Sequence, residues 1–122
     1  YPEGGEKAVE ELMSMPAPPT AVICFTDYVA FGAYSKLHEL GYAPGQDVAL
    51  IGCDGISEGA RSYVKLSTIN VQKRLIGETA AKFLQKRLED PGAARQEIYT
   101  SPLPLFRSSS GHTKIKHCES KE

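Results

Sequence analysis

Two aspartates each stand at the end of a short apolar run that reads as a strand: Asp27 after TAVICF, in the turn TDY, and Asp54 closing VALIGCD. In an open α/β sheet, small ligands sit in the crevice beyond the carboxyl ends of the strands, so both carboxylates are expected to face one site. An ionised carboxylate accepts two hydrogen bonds at once, which suits the vicinal hydroxyls of a sugar or a ribose. Asp54 follows Gly52 at a distance of two residues, and the glycine lets the backbone turn there. Other roles stay open for both. Asp27 is equally well placed as the N-cap of the helix that follows, accepting N–H groups that have no intrahelical partner, and Asp54 could satisfy loop N–H groups. As a pair they could do acid–base work.

Other chemistries find little support. A nucleophilic site needs a Ser or Cys with a base and an orienting acid, and His38, the histidine outside the tail, falls among the surface residues of a helix pattern. There is no glycine-rich phosphate cradle after a strand. Cys24, Cys53 and Cys118 make no CxxC pair and no zinc spacing; Cys24, inside an apolar strand, reads as a small buried hydrophobe, and the odd count argues for a reducing compartment, the cytoplasm. His112, His117 and Cys118 fall in a polar tail that would have to be ordered to hold a metal, and no fourth ligand is evident. Catalysis is disfavoured, no cofactor or metal is called for, and recognition remains.

At 122 residues the chain is long enough for one core and too short for two, so it reads as one domain or a piece of one. A net charge of -1 leaves no electrostatic footprint for a phosphate backbone, so these residues alone are not expected to hold DNA. No apolar run approaches the ~20 residues that cross a bilayer, and the opening YPEGGEKA lacks the order of a signal peptide and an initiator Met. It looks like a segment of something longer.

The elements that must position the two aspartates follow from hydrophobic periodicity. Pro2 to Gly5 reads as a turn, followed by an amphipathic helix burying Ala8, Val9, Leu12 and Met13 and stopped by Pro16, Pro18 and Pro19. Thr20 to Phe25, continuously apolar and β-branched, predicts a strand covered on both faces, as in a parallel sheet. The next helix buries Val29, Ala33, Leu37 and Leu40 and stops at Gly41, with Phe31 and Tyr34 toward the outer edge of its stripe. Val48 to Gly52 is a second strand, the residues between Cys53 and Val64 a long polar loop, and Leu66 to Val71 a third strand. A helix from Lys73 to about Asp90 turns Leu75 or Ile76, Ala80, Phe83, Leu84 and Leu88 inward. Glu97 to Tyr99 begins a last strand, which Pro102 and Pro104 confine to an edge. Residues 111–122 form a polar tail, expected to be flexible.

The succession PTAVICFTDYVAFGAYSKLHELGYAPGQDVALIGCDG, LSTINV, LIGETAAKFLQKRL and FRSSS closely resembles the carboxyl-terminal part of the lactose/galactose repressor family of bacterial transcription regulators, over about Gly4 to Ser110. The resemblance implies an α/β, doubly wound parallel sheet of the periplasmic-binding-protein-like kind, in which two subdomains close on a small effector, often a sugar or a nucleobase. Residues 1–110 would be the carboxyl-terminal part of that effector domain, with about 73–92 crossing to the other subdomain. The parent protein would bind operator DNA through an amino-terminal helix-turn-helix domain outside this chain and would be a homodimer, for which Phe31 and Tyr34 are candidate contacts. Asp54 matches the family aspartate that commonly binds effector hydroxyls or ribose. Thr26 stands where many members have an effector-contacting asparagine, Asp27 matches the aspartate after it, and Val71 replaces a cleft residue that is often glutamine. A sugar-binding protein of a transport system shares this fold and is the alternative. In the family fold the strand Thr20 to Phe25 pairs with a strand upstream of Tyr1, so within this chain it should show an unpaired apolar edge, and the helix from Lys73 should lack a partner surface.

Overall fold

The computed structural model describes residues 1–61 and 64–111. Its elements run in the order α1 (Pro2–Met13), β1 (Ala21–Ile23), α2 (Asp27–Glu39), β2 (Ala49–Cys53), α3 (Glu58–Arg61), β3 (Ser67–Asn70), α4 (Lys73–Glu89) and β4 (Leu103–Leu105), with a 3-10 turn at Ser108–Ser110. The strands lie in the order β1-β2-β3-β4; the first three are parallel and β4 joins β3 antiparallel. This is the α/β, parallel-dominated sheet expected.

Side chains alternate along a strand, so the register Val22↔Leu50 and Gly52↔Thr68 puts these four residues on one face. That face carries the core: Leu50 clusters with Ala30, Ala33 and Leu37 of α2 and Val9 of α1, with Cys24, Val48, Val64 and Leu66 completing the cluster. Burial pushes the Cys24 thiol up to about 11, as expected of a cysteine acting as a hydrophobe. Helix α1 lies against α2 through glycines. A Cβ on Gly5 would meet the Val29 carbonyl oxygen at 2.0 Å, and one on Gly32 would meet that of Pro2 at 1.8 Å. The residues Pro2 to Gly5 are therefore the first turn of a helix and not a loop: proline fits the first helical position, whose N–H would be unpaired anyway.

The opposite face presents Ile23, Ile51 and Ile69, and β1 is less enclosed than the apolar run predicts. It is a three-residue edge strand, with Ile23 74% and Phe25 89% exposed, because it pairs with β2 alone. The unpaired apolar edge expected from the family fold is thus present. In α2 the buried residues are Asp27, Ala30, Gly32, Ala33 and Leu37; Val29 is half-buried, and Leu40, at the C-cap, is exposed. Helix α4 buries no residue: Leu75, Ile76, Ala80, Leu84 and Leu88 are exposed and Phe83 half-buried, so among the described residues nothing covers its inward stripe fully. The last strand is Leu103–Leu105, not a continuation of Glu97 to Tyr99. Pro104 sits in it without penalty because β4 is the outer strand.

The segment FRSSS staples the sheet. Ser109 Oγ donates to the Leu50 carbonyl at 2.7 Å and accepts from the Ser67 N–H at 2.8 Å. Ser67 Oγ accepts from the Arg107 N–H at 2.7 Å, and the Arg107 guanidinium bonds the Leu66 carbonyl. Residues 112–122, and with them His112, His117 and Cys118, lie outside the described residues.

Candidate functional site

Asp54 follows the last residue of β2 with φ 111, a left-handed conformation rare for a side chain other than glycine. Two bonds hold this turn: the Asp54 N–H donates to the Ile69 carbonyl at 3.0 Å, and Lys73 Nζ donates to the Asp54 carbonyl at 2.8 Å. The side chain is half-buried, and among the described residues no hydrogen bond or ion pair engages its carboxylate. Its two oxygens are thus open acceptors at the carboxyl end of the sheet.

Thr26 sits at the equivalent end of β1, half-buried. It, and not Asp27, is the N-cap of α2, with Oγ1 accepting from the Val29 N–H at 3.2 Å. Capping uses the oxygen as acceptor and leaves the hydroxyl hydrogen to donate.

Asp27 occupies the first helical position and is fully buried. Its Oδ1 accepts from Thr68 Oγ1 at 2.6 Å and its Oδ2 from the Ile56 N–H at 2.8 Å. Thr68 Oγ1 in turn accepts from the Gly55 N–H at 3.1 Å. A carboxylate taken out of water needs such charge-assisted bonds, and the amino end of α2 adds its dipole. Gly52 makes room for it, since a Cβ there would lie 2.2 Å from Asp27 Oδ1. Gly55, at φ 64, brings the loop against β3, where a Cβ would meet Asn70 Cα at 2.9 Å.

Three parts of this arrangement were not singled out from the sequence: Thr68, Lys73 and Gln72. Gln72 stands at the left-handed entry to α4 (φ 56), where its N–H bonds Asn70 Oδ1 at 2.8 Å. With Asn70, Lys73, Arg74, Glu78 and Leu103 it lines a depression of about 480 Å³ beside the end of β3. The signal available was positional. Thr68 lies on the same face of the sheet as Gly52, two residues before the strand end. Val71 is half-buried at the strand end and adds no polar group. His38 is exposed on α2, as its helix pattern predicts. Among the described residues no group of three His, Cys, Asp or Glu could hold a metal, and no helix is long and apolar enough to cross a membrane.

Residues 2–110 match the periplasmic binding protein-like domain. The chain is 35% identical over 103 residues to the HTH-type transcriptional repressor PurR of Aliivibrio salmonicida, covering 84% of this chain and 31% of that protein. It is 36% identical over 108 residues to PurR of Escherichia coli, covering 88% and 32%. It therefore spans about a third of the length of these curated relatives. Among solved structures, a LacI family transcriptional regulator from Enterococcus faecium with bound ribose superposes with a TM-score of 0.82 at 31% identity, over 93% of this chain and 41% of that one. A LacI regulator from Bacillus cereus subsp. cytotoxis gives 0.84 at 30%, over 88% and 38%. These relatives are regulators, which favours the regulator reading over the transport alternative. On the match over residues 2–110 and the shared fold, the chain belongs to the periplasmic binding protein-like domain family, in the form carried by LacI-family transcriptional regulators.

Proposed function

We propose that this chain is the effector-sensing part of a longer, cytoplasmic bacterial transcription regulator that binds operator DNA through a separate amino-terminal helix-turn-helix domain. The observation that carries this reading is the Asp54 carboxylate, half-buried at the carboxyl end of β2 and unengaged among the described residues. Such an acceptor fits a hydroxyl-bearing ligand, a sugar or a nucleobase or nucleoside, and two LacI-family relatives from Enterococcus hold ribose. Thr26, at the corresponding end of β1, is a second, weaker contact through its hydroxyl hydrogen, and Asp27 supports the turn after Asp54. The site binds and does not catalyse.

Helix α4, which buries no residue among those described, crosses to the second subdomain in the complete protein. The protein assembles as a homodimer in which Phe31 and Tyr34 contribute from α2; both are half-buried and pack partly against the core. The test is a thermal-shift screen of sugars, nucleosides and nucleobases against the full-length protein. A ligand at 100 times its Kd stabilises by about 2.7 kcal/mol, and in Asp54→Asn the same concentration should give at most about half of that shift. A screen in which no member of these classes shifts the melt would remove the effector assignment.

A further inference from the structure

Asp27 is fully buried and both of its carboxylate oxygens are spent on the protein. What they hold is the loop that begins at Asp54. One oxygen takes the Ile56 N–H directly, and the other takes the Thr68 hydroxyl, whose oxygen takes the Gly55 N–H. Two consecutive amides immediately after Asp54 are therefore fixed from α2 and from β3. The backbone between β2 and these amides is not at rest by itself: Asp54 lies at φ 111, a region that a non-glycine residue keeps only where its surroundings hold it there. The remaining neighbours are shaped to this grip, with Gly52 leaving space for the carboxylate and Gly55 letting the loop touch Asn70.

We propose that Asp27 and Thr68 are positioning residues for the effector site: they do not touch the ligand, but lock the Asp54 turn in the conformation that points its carboxylate into the crevice. This rests on the reading of Asp54 as the effector contact. Affinity is then set partly by a buried bond network that no ligand reaches, and a change at Asp27 acts on the ligand only through Asp54.

The test uses the full-length protein with D-ribose and with hypoxanthine as probes, and amide hydrogen exchange on the same samples. Thr68→Val removes the hydroxyl while keeping the shape, and Thr68→Ser keeps the hydroxyl. In Thr68→Val the amides of Gly55 and Ile56 should exchange at least tenfold faster while that of Leu50 is unchanged, and probe affinity should fall at least tenfold; Thr68→Ser should restore both. Asp27→Asn should weaken binding by a similar factor, and combined with Asp54→Asn it should add less than twofold to the loss from Asp54→Asn alone. Equal Gly55 and Ile56 exchange in wild type, Thr68→Val and Asp27→Asn would overturn the proposal, as would fully multiplicative losses in the double variant. If wild type binds neither probe, the choice of these two ligands fails, and the exchange rates still decide whether Asp27 and Thr68 hold the turn.

Discussion

Gly52→Ala drives a single methyl group into the buried Asp27 carboxylate. The added Cβ would lie 2.2 Å from Asp27 Oδ1 and 3.1 Å from Asp27 Cα. Non-bonded heavy atoms settle near 3.5 Å, so the carboxylate must retreat by roughly 1 Å. Its bonds to Thr68 Oγ1 at 2.6 Å and to the Ile56 N–H at 2.8 Å cannot both survive such a shift. Overpacking a tight site costs about 1–3 kcal/mol. A buried acceptor left unpaired costs about 1–3 kcal/mol more, so a total of at least about 2 kcal/mol is expected. For a domain of 150–250 residues each kcal/mol moves the melting temperature by about 2–4 °C, so thermal unfolding of the full-length protein should show a drop of at least about 4 °C. Gly59→Ala is the control, because the nearest atom to its Cβ lies 3.5 Å away at Arg107 Nη1, and its melt should stay close to wild type. A Gly52→Ala protein that melts within about 1 °C of wild type would show that Asp27 is not packed and bonded as described.

Other outcomes follow from burial and exposure. Cys24, its thiol raised to about 11, should react with iodoacetamide far more slowly than half-buried Cys53 in the native protein, as peptide mass mapping would show. Because the unfolded thiol ionises near 9 and the folded one near 11, the Cys24 contribution to stability is intact below pH 9 and declines as pH rises between those values; Cys24→Ala should remove that part of the decline in urea titrations. Phe31→Glu combined with Tyr34→Glu should shift the full-length protein to a lighter species in sedimentation, and unchanged sedimentation would place the interface elsewhere. Expressed alone, the 122 residues should associate or bind a dye for exposed apolar surface, because Ile23, Phe25, Leu84 and Leu88 are 61–89% exposed. A monodisperse monomer with a cooperative melt and no dye binding would contradict this.

The sequence made the α/β order legible because each element carries its own period. Helix α4 was placed from Lys73 to within a residue of its end, and β2 was displaced by one position. Burial was less legible than periodicity, because burial depends on what lies opposite. The apolar run Thr20 to Phe25 reads as an enclosed strand in any sequence, and only pairing on one side reveals β1 as an edge. The stripe of α4 is likewise apolar on paper and exposed in this chain. Asp54 stands at the strand end where the apolar run VALIGCD puts it. The cap of α2 is Thr26 and not Asp27, because adjacent residues at a helix start are both suited to cap it and only the backbone angles decide. Thr68 reaches Asp27 across 41 positions of sequence, a contact that no local pattern encodes.

The central claim is that the crevice at the sheet's carboxyl end, with Asp54 as its open acceptor, receives a small effector. Isothermal titration of the full-length protein and of Asp54→Asn, with the ligand that most raises the melting temperature, tests it most directly. Losing a charged, buried hydrogen-bond acceptor costs about 1.5–3 kcal/mol, so affinity should fall at least about tenfold while the melt of the unliganded protein stays unchanged. Equal affinity in the two proteins would contradict the claim and move the site away from Asp54.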